Sequence, residues 1–300
     1  MKNYKLIWLG IFCCLQPFIL FAQRGETIRK AFLDPKSEQV LVVAHRGNWR
    51  SAPENSVAAI DSAIQMGVDI VEIDIHKTKD GQLILMHDDR VDRTTNGKGL
   101  IKDYTLAEIK KLKLKDKDGN LTEHTVPTLE EALLAGKGQI MFNLDKAYSV
   151  FDEVYAVLEK TGTASLVIMK GSQPVETVKR EFGDYLDKVI YIPVIGLDGK
   201  DGEKKVRDYM TQLHPAAFEL VYSDSSSSLP RKVKSIILGK SRIWYNTLWA
   251  SLAGGHEDDQ ALKDPDGNYG YLIEELGARI LQTDRPGFML DYLRKKGLHD

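Results

Sequence analysis

Three short stretches of the chain place ionisable side chains where they could move protons or hold an ion. In VAHRGNWRSAPENS, residues 43–56, an apolar run ends in His45-Arg46-Gly47 and leads on to Glu54. In VEIDIH, residues 71–76, strand alternation sends Glu72, Asp74 and His76 to one face and Val71, Ile73 and Ile75 to the other. In NLDKA, residues 143–147, Asn143 and Asp145 share a face, and His87 closes an apolar run at residues 83–86. A buried carboxylate without a partner carries a large desolvation cost, so acids repeated on interior faces call for a cation. Glu72, Asp74 and Asp145 make an all-oxygen set suited to Ca²⁺ or Mg²⁺, and Zn²⁺ fits less well with so few histidines nearby. Two histidines supply an acid and a base near neutral pH, and Arg46 offers a bidentate contact for phosphate oxygens. The chemistry implied is metal-assisted cleavage of an anionic phosphate ester.

These residues need a scaffold that brings strand ends together. Near-continuous apolar runs at residues 40–44, 70–75, 139–144, 165–169, 189–194, 218–222, 242–246 and 279–282 read as parallel strands covered on both faces. Helical patterns lie between them at 56–66, 128–134, 149–160, 174–185, 203–213, 229–239, 268–276 and 286–296, with start signals such as Pro174, Pro286 and a Thr128/Glu131 capping box. This alternation predicts an α/β fold of the (β/α)₈ TIM-barrel class. An open doubly wound sheet would carry a glycine-rich phosphate loop after its first strand, and none is present. Residues 77–127 break the alternation with turn signals at Asp80-Gly81, Asn96-Gly97 and Asp118-Gly119, which predicts a small subdomain inserted after the second strand. In a barrel that insertion sits at the C-terminal face, where active sites are built.

The chain has 300 residues, 41 basic against 43 acidic, and the two signs are interleaved, so it carries no electrostatic footprint for nucleic acid. Its start, MKNYKLIWLGIFCCLQPFILFAQ, sets Lys2 and Lys5 before an apolar run ending at Phe21 and a small residue, Ala22. Residues 1–23 are therefore expected to be a signal peptide, with residues 24–300 as the mature barrel domain, exported to the periplasm or cell envelope. The run falls short of the roughly 20 residues of a spanning helix, so no stable membrane insertion is expected after cleavage. Cys13 and Cys14 lie inside this segment, and the mature chain then has no cysteine for a disulfide or a thiolate metal site.

The block HRGNWRSAPENS, the run GVDIVEIDIHKTKDGQLILMHDD, RTTNGKG at residues 93–99 and TDRP at residues 283–286 together resemble the glycerophosphodiester phosphodiesterase family. The resemblance implies a TIM barrel with an inserted subdomain, one divalent metal ion, and hydrolysis of small glycerophosphodiesters to glycerol 3-phosphate and an alcohol through a cyclic phosphate. It implies His45 and His87 as the acid/base pair, Arg46 as a phosphate ligand, and Glu72 and Asp74 as metal carboxylates. Asp145 stands at the third metal position, and Glu54 binds the ion or orients its loop. Asn55 is expected to cap the helix that starts at Ser56.

The chain departs from the family pattern at the third strand, where Asn-x-Glu-x-Lys becomes Asn143-Leu144-Asp145-Lys146-Ala147, an acid shorter by one C–C bond of about 1.5 Å. Alternation turns Lys146 away from Asp145 and leaves Ala147 in the lysine slot. Lys170, closing the fourth strand, is expected to supply the missing charge beside the phosphate, and Trp244 to line the substrate pocket. Two other readings use the same residues. A phospholipase D-like or phosphoinositide-cleaving relative would need an apolar groove, whereas the insertion is lysine-rich at residues 110–117 without an aromatic cluster. A noncatalytic binder of phosphorylated alcohols would not need both histidines.

Overall fold

The computed structural model of the protein describes residues 16–300, with side chains from residue 24. Most of the expected signal segment, with Cys13 and Cys14, lies outside the described residues. Along the chain the strands are β1 (Leu41–Ala44), β2 (Ile70–Lys77), β3 (Leu83–Leu85), β4 (Lys113–Lys115), β5 (Leu121–Thr125) and β6 (Met141–Asp145). They continue with β7 (Val167–Gly171), β8 (Ile190–Gly196), β9 (Ala217–Val221), β10 (Arg242–Asn246) and β11 (Ala278–Thr283). The helices are α1 (Gln16–Leu33), α2 (Val57–Met66), α3 (Leu106–Ile109), α4 (Leu129–Gly136) and α5 (Phe151–Thr161), then α6 (Val175–Phe182), α7 (Gly202–Gln212), α8 (Leu229–Ile237), α9 (Asp258–Ala261) and α10 (Pro286–Lys295). A π-helix, Asp266–Glu275, occupies the place of the expected helix at 268–276.

The parallel sheet runs β1-β11-β10-β9-β8-β7-β6-β2, and pairing of β1 with β2 closes it into an eight-stranded (β/α)₈ barrel. All eight expected strands are present. The local chemistry is that of the sequence signals: Ser56 caps α2 by accepting the Ala59 N–H, and Thr128 and Glu131 form the capping box of α4. The segment at residues 77–127 is the expected insertion. Its β3 pairs antiparallel with the end of β2, and Ile84, Met86, Val91, Ile101, Ile109, Leu114 and Val126 form a small core of their own.

The barrel interior is layered because inward positions recur every second residue. The lower layer is apolar: Leu41 and Val43 of β1, Ile70, Met141, Ile168, Ile192, Ala217, Trp244 and Ile280 pack together. Ile28 and Phe32, from the C-terminal half of α1, belong to the same cluster, so this helix plugs the barrel floor. Two residues further along the same strands the interior turns polar, with His45, Glu72, Asn143, Lys170, Glu219, Asn246 and Gln282. No helix among the described residues is long and apolar enough to cross a membrane.

Candidate active site

The turn after β1 sets the first group of site residues. Arg46 and Gly47 both adopt the left-handed conformation (φ 54° and 77°), and a Cβ on Gly47 would meet Ala59 Cβ at 2.8 Å, so only glycine lets the turn lie against α2. This sharp bend aims the Arg46 N–H at Glu72, which accepts it at 2.9 Å, while Arg46 Nη1 reaches Glu54 at 3.1 Å. Asn55 is also left-handed (φ 55°) and does not cap α2. Its side-chain amide donates to Asp74 Oδ2 at 2.9 Å and its carbonyl accepts the Asp74 N–H, so it fixes that carboxylate instead.

Glu72, Asp74 and Asp145 converge with one oxygen from each lying within 4.8 Å of the others. Strand register makes this unavoidable, since β2 and β6 pair with Asp74 opposite Asp145. Glu72 and Asp74 are buried, and burial together with the charges of Asp74 and Asp145 pushes the Glu72 carboxyl well up from its usual range. Asp74 Oδ1 is buried and has no hydrogen-bond donor. A cluster of hard oxygen donors in mutual repulsion, one of them receiving no hydrogen bond, fits a divalent cation of the Ca²⁺ or Mg²⁺ kind. Glu54 stands outside the cluster. Its oxygens are taken by Arg93 at 2.7 and 2.8 Å and by Arg46, and these guanidiniums outweigh the effect of burial and hold its carboxyl low.

The two lysines exchange their expected places. Lys146 has φ 61°, which breaks the strand alternation, so its side chain turns back into the mouth. Its Nζ lies 3.8 Å from Asp74 Oδ1 and donates to the His87 carbonyl. Lys170 stands in the upper layer with its side chain 9% exposed, 3.4 Å from both Asp145 and Glu219. Burial works against its charge, yet the flanking carboxylates hold the ammonium protonated far above its ordinary range. Asp145 is pushed up by burial but held low overall by Lys170 and by the N–H of Lys146. Lys170 therefore neutralises the acids from below and does not line the open cleft.

Each histidine has its own carboxylate. His45 Nδ1 lies 2.8 Å from Asp284 Oδ1, and its Nε2 is 4.0 Å from Glu72. Asp284 also accepts Trp49 Nε1 at 2.6 Å, and its carboxyl, although raised by burial, is held low by His45, Trp49 and Arg50. His87 Nδ1 lies 2.8 Å from Asp88 Oδ1. Asp88 is held low chiefly by the hydrogen bonds from Arg93, which also clamps Glu54 and so ties the insertion to the turn after β1. A carboxylate on one ring nitrogen fixes the tautomer and leaves the other nitrogen for proton transfer.

Above these residues opens a cleft of about 430 Å³, lined by His45, Arg46, Glu54, Arg93 and Asp284, by Trp49 and Trp249, and by Lys115, Asp116 and Lys117 of the insertion. Trp244 is not among them. It is fully buried in the lower layer, with its indole N–H donated to Asn246, because its position on β10 points it below the mouth. Trp49, Trp249 and Asp284 are the neighbours of the site that sequence reasoning did not single out. Trp49 and Asp284 lie inside the HRGNW and TDRP runs, which was the available signal.

Comparison with known proteins matches residues 45–179 to the glycerophosphoryl diester phosphodiesterase family and residues 191–293 to a family described as a domain of unknown function. A glycerophosphodiester phosphodiesterase of Caldanaerobacter subterraneus subsp. tengcongensis is 45% identical over 109 residues, 36% of this chain and 45% of the relative. Glycerophosphodiester phosphodiesterase 1 of Bos taurus is 30% identical over 217 residues, 67% of this chain and 64% of the relative. The chain thus spans less than half of the first of these curated relatives and under two thirds of the second. Among solved structures, a glycerophosphoryl diester phosphodiesterase of Parabacteroides distasonis superposes with a TM-score of 0.72 at 22% identity, over 91% of this chain and 92% of its own. A phosphodiesterase of Oleispira antarctica, solved with the product sn-glycerol-3-phosphate, gives 0.65 at 22% identity over 85% and 97%. At these identities the structures speak for the fold, while the matched sequence and the site motifs carry the family. Residues 45–179 of the chain belong to the glycerophosphodiester phosphodiesterase family.

Proposed function

We propose that this protein hydrolyses small glycerophosphodiesters to glycerol 3-phosphate and an alcohol. The observation that carries the reading is the meeting, at one barrel mouth, of two carboxylate-held histidines with a cluster of three acids, one oxygen of which receives no hydrogen bond. Glu72, Asp74 and Asp145 would hold a Ca²⁺ or Mg²⁺ ion, which supplies charge neutralisation at phosphate oxygens and lowers the pKa of a coordinated hydroxyl. Arg46, whose Nε lies 3.6 Å from Asp74, binds phosphate oxygens, and Lys146 adds a second positive charge near the same carboxylate. One imidazole takes the proton of the glycerol 2-hydroxyl as that oxygen attacks phosphorus. The other protonates the departing alkoxide, and water then opens the cyclic phosphate with the roles reversed.

Arg93, Lys115, Asp116 and Lys117 face the cleft beside Trp49 and Trp249, and these charges support a soluble headgroup over an acyl chain. With its basic and apolar start at residues 1–23, we place this activity in the cell envelope. The test is a panel of glycerophosphodiesters and lysophospholipids, with His45→Ala as control. Release of glycerol 3-phosphate from the diesters by the parent alone supports the reading. Exclusive turnover of the lysolipids, or equal activity in the variant, overturns it.

A further inference from the structure

We propose that Asp258 is a positioning residue for His45, acting through Asp284. The inference rests on His45 being a proton-transfer group. It also gives a role to the C-terminal part of the chain, outside the segment that matches the phosphodiesterase family.

Asp258 begins α9, in the connection after β10, and is 2% exposed. A carboxylate at that depth is costly unless its lone pairs are met. They are met by four donors, none of them a cation. Oδ1 accepts the hydroxyls of Thr247, Tyr269 and Thr283, each at 2.7 Å, and Oδ2 accepts the N–H of Asp284 at 2.7 Å. The neighbouring cation, Arg285, is spent on the exposed Asp259. The donors come from four places: the residue after β10, the π-helix, the end of β11, and the first residue beyond β11. A π-helix is a rare and costly local geometry, and here it delivers the Tyr269 hydroxyl to Asp258.

The result is a single anion that pins the backbone of Asp284 from behind. On its other side, Asp284 Oδ1 receives His45 Nδ1 and Trp49 Nε1. The chain of contacts Asp258, Asp284, His45 is continuous at hydrogen-bond distance and ends with His45 Nε2 pointing to Glu72 and the mouth. A purely packing role would be served as well by an apolar side chain. Four convergent neutral donors instead fix the direction of one peptide N–H and the angle at which its side chain meets an imidazole.

The test uses the full folded protein and two readouts. Asp258→Asn keeps the shape but turns one acceptor into a donor facing donors, and Tyr269→Phe removes a single hydroxyl and keeps the ring. We expect kcat to fall by about 10- to 100-fold in Asp258→Asn, the scale of losing an outer partner of a site residue, and severalfold in Tyr269→Phe. KM should change by less than about threefold, because substrate contacts are untouched. Independently of turnover, the low-field NMR proton on His45 Nδ1, assigned by its loss in His45→Gln, should shift or broaden in both variants. Should Asp258→Asn not fold, Tyr269→Phe carries the test. A lowered Tm with an unmoved His45 proton would overturn the proposal. A displaced His45 proton with unchanged kcat would support the positioning role and contradict the catalytic reading of His45.

Discussion

The two layers of the barrel interior are built by the same strands, one inward position apart, and they differ in almost everything else. Below, Ile70, Met141, Ile168, Trp244 and Ile280 pack against Phe32 with essentially no exposure. Above, Glu72, Lys170 and Glu219 place charge where apolar side chains would pack. A close-packed apolar layer contributes stability, while buried like charges subtract from it. The lower layer is thus the foundation on which the upper layer can hold its carboxylates in repulsion.

That contrast is open to direct attack. Glu72→Gln should lower activity by at least about 100-fold, beyond the cost of losing an outer partner of a metal site, while thermal unfolding without divalent ions shows a Tm equal to or above that of the parent. A large drop in Tm would mean that the upper layer also supports the fold. Trp244→Ala is the reverse case. It should cost about 3 to 5 kcal/mol in denaturant unfolding, as for a large aromatic removed from a core, with kcat of the folded fraction changed by less than about threefold. A selective rise in KM would return Trp244 to the substrate pocket.

The smallest effect is expected beneath the lower layer, where His299 Nε2 lies 2.9 Å from Asp69, whose carboxylate also accepts the Val42 N–H. Burial lowers the His299 pKa, but the Asp69 carboxylate reverses this and leaves it raised above the ordinary histidine value. A raised histidine stabilises the fold fully below its unfolded pKa of about 6.5, and that contribution is lost as pH rises through the folded value. His299→Ala should therefore destabilise the protein more at pH 6 than at pH 9, read as the difference in unfolding midpoints. An equal loss at both would assign the contact to packing alone.

Much of this layering was legible in the sequence because period-two alternation is a local rule. Glu72 and Asp74 could be placed on one interior face, and eight apolar runs counted, without knowing what lay opposite. The failures have physical causes of a different kind. Lys146 escaped because its left-handed backbone cancels the alternation at the one residue where direction mattered. Asn55 sits in a helix-start pattern, yet its amide is drawn to Asp74 by a long-range contact that no local signal encodes. Trp244 obeys the strand rule, but alternation gives the face of a barrel strand and not its depth. Asp284 and Asp258 act across more than 200 residues of sequence from His45, through contacts that exist only once the barrel closes.

Metal removal tests most directly whether Glu72, Asp74 and Asp145 bind an ion on which diester cleavage depends. Purified protein freed of divalent ions by a chelator should release no glycerol 3-phosphate from a glycerophosphodiester, and Ca²⁺ or Mg²⁺ should restore release in the parent but not in Glu72→Gln. Full activity of the metal-free parent would contradict that dependence.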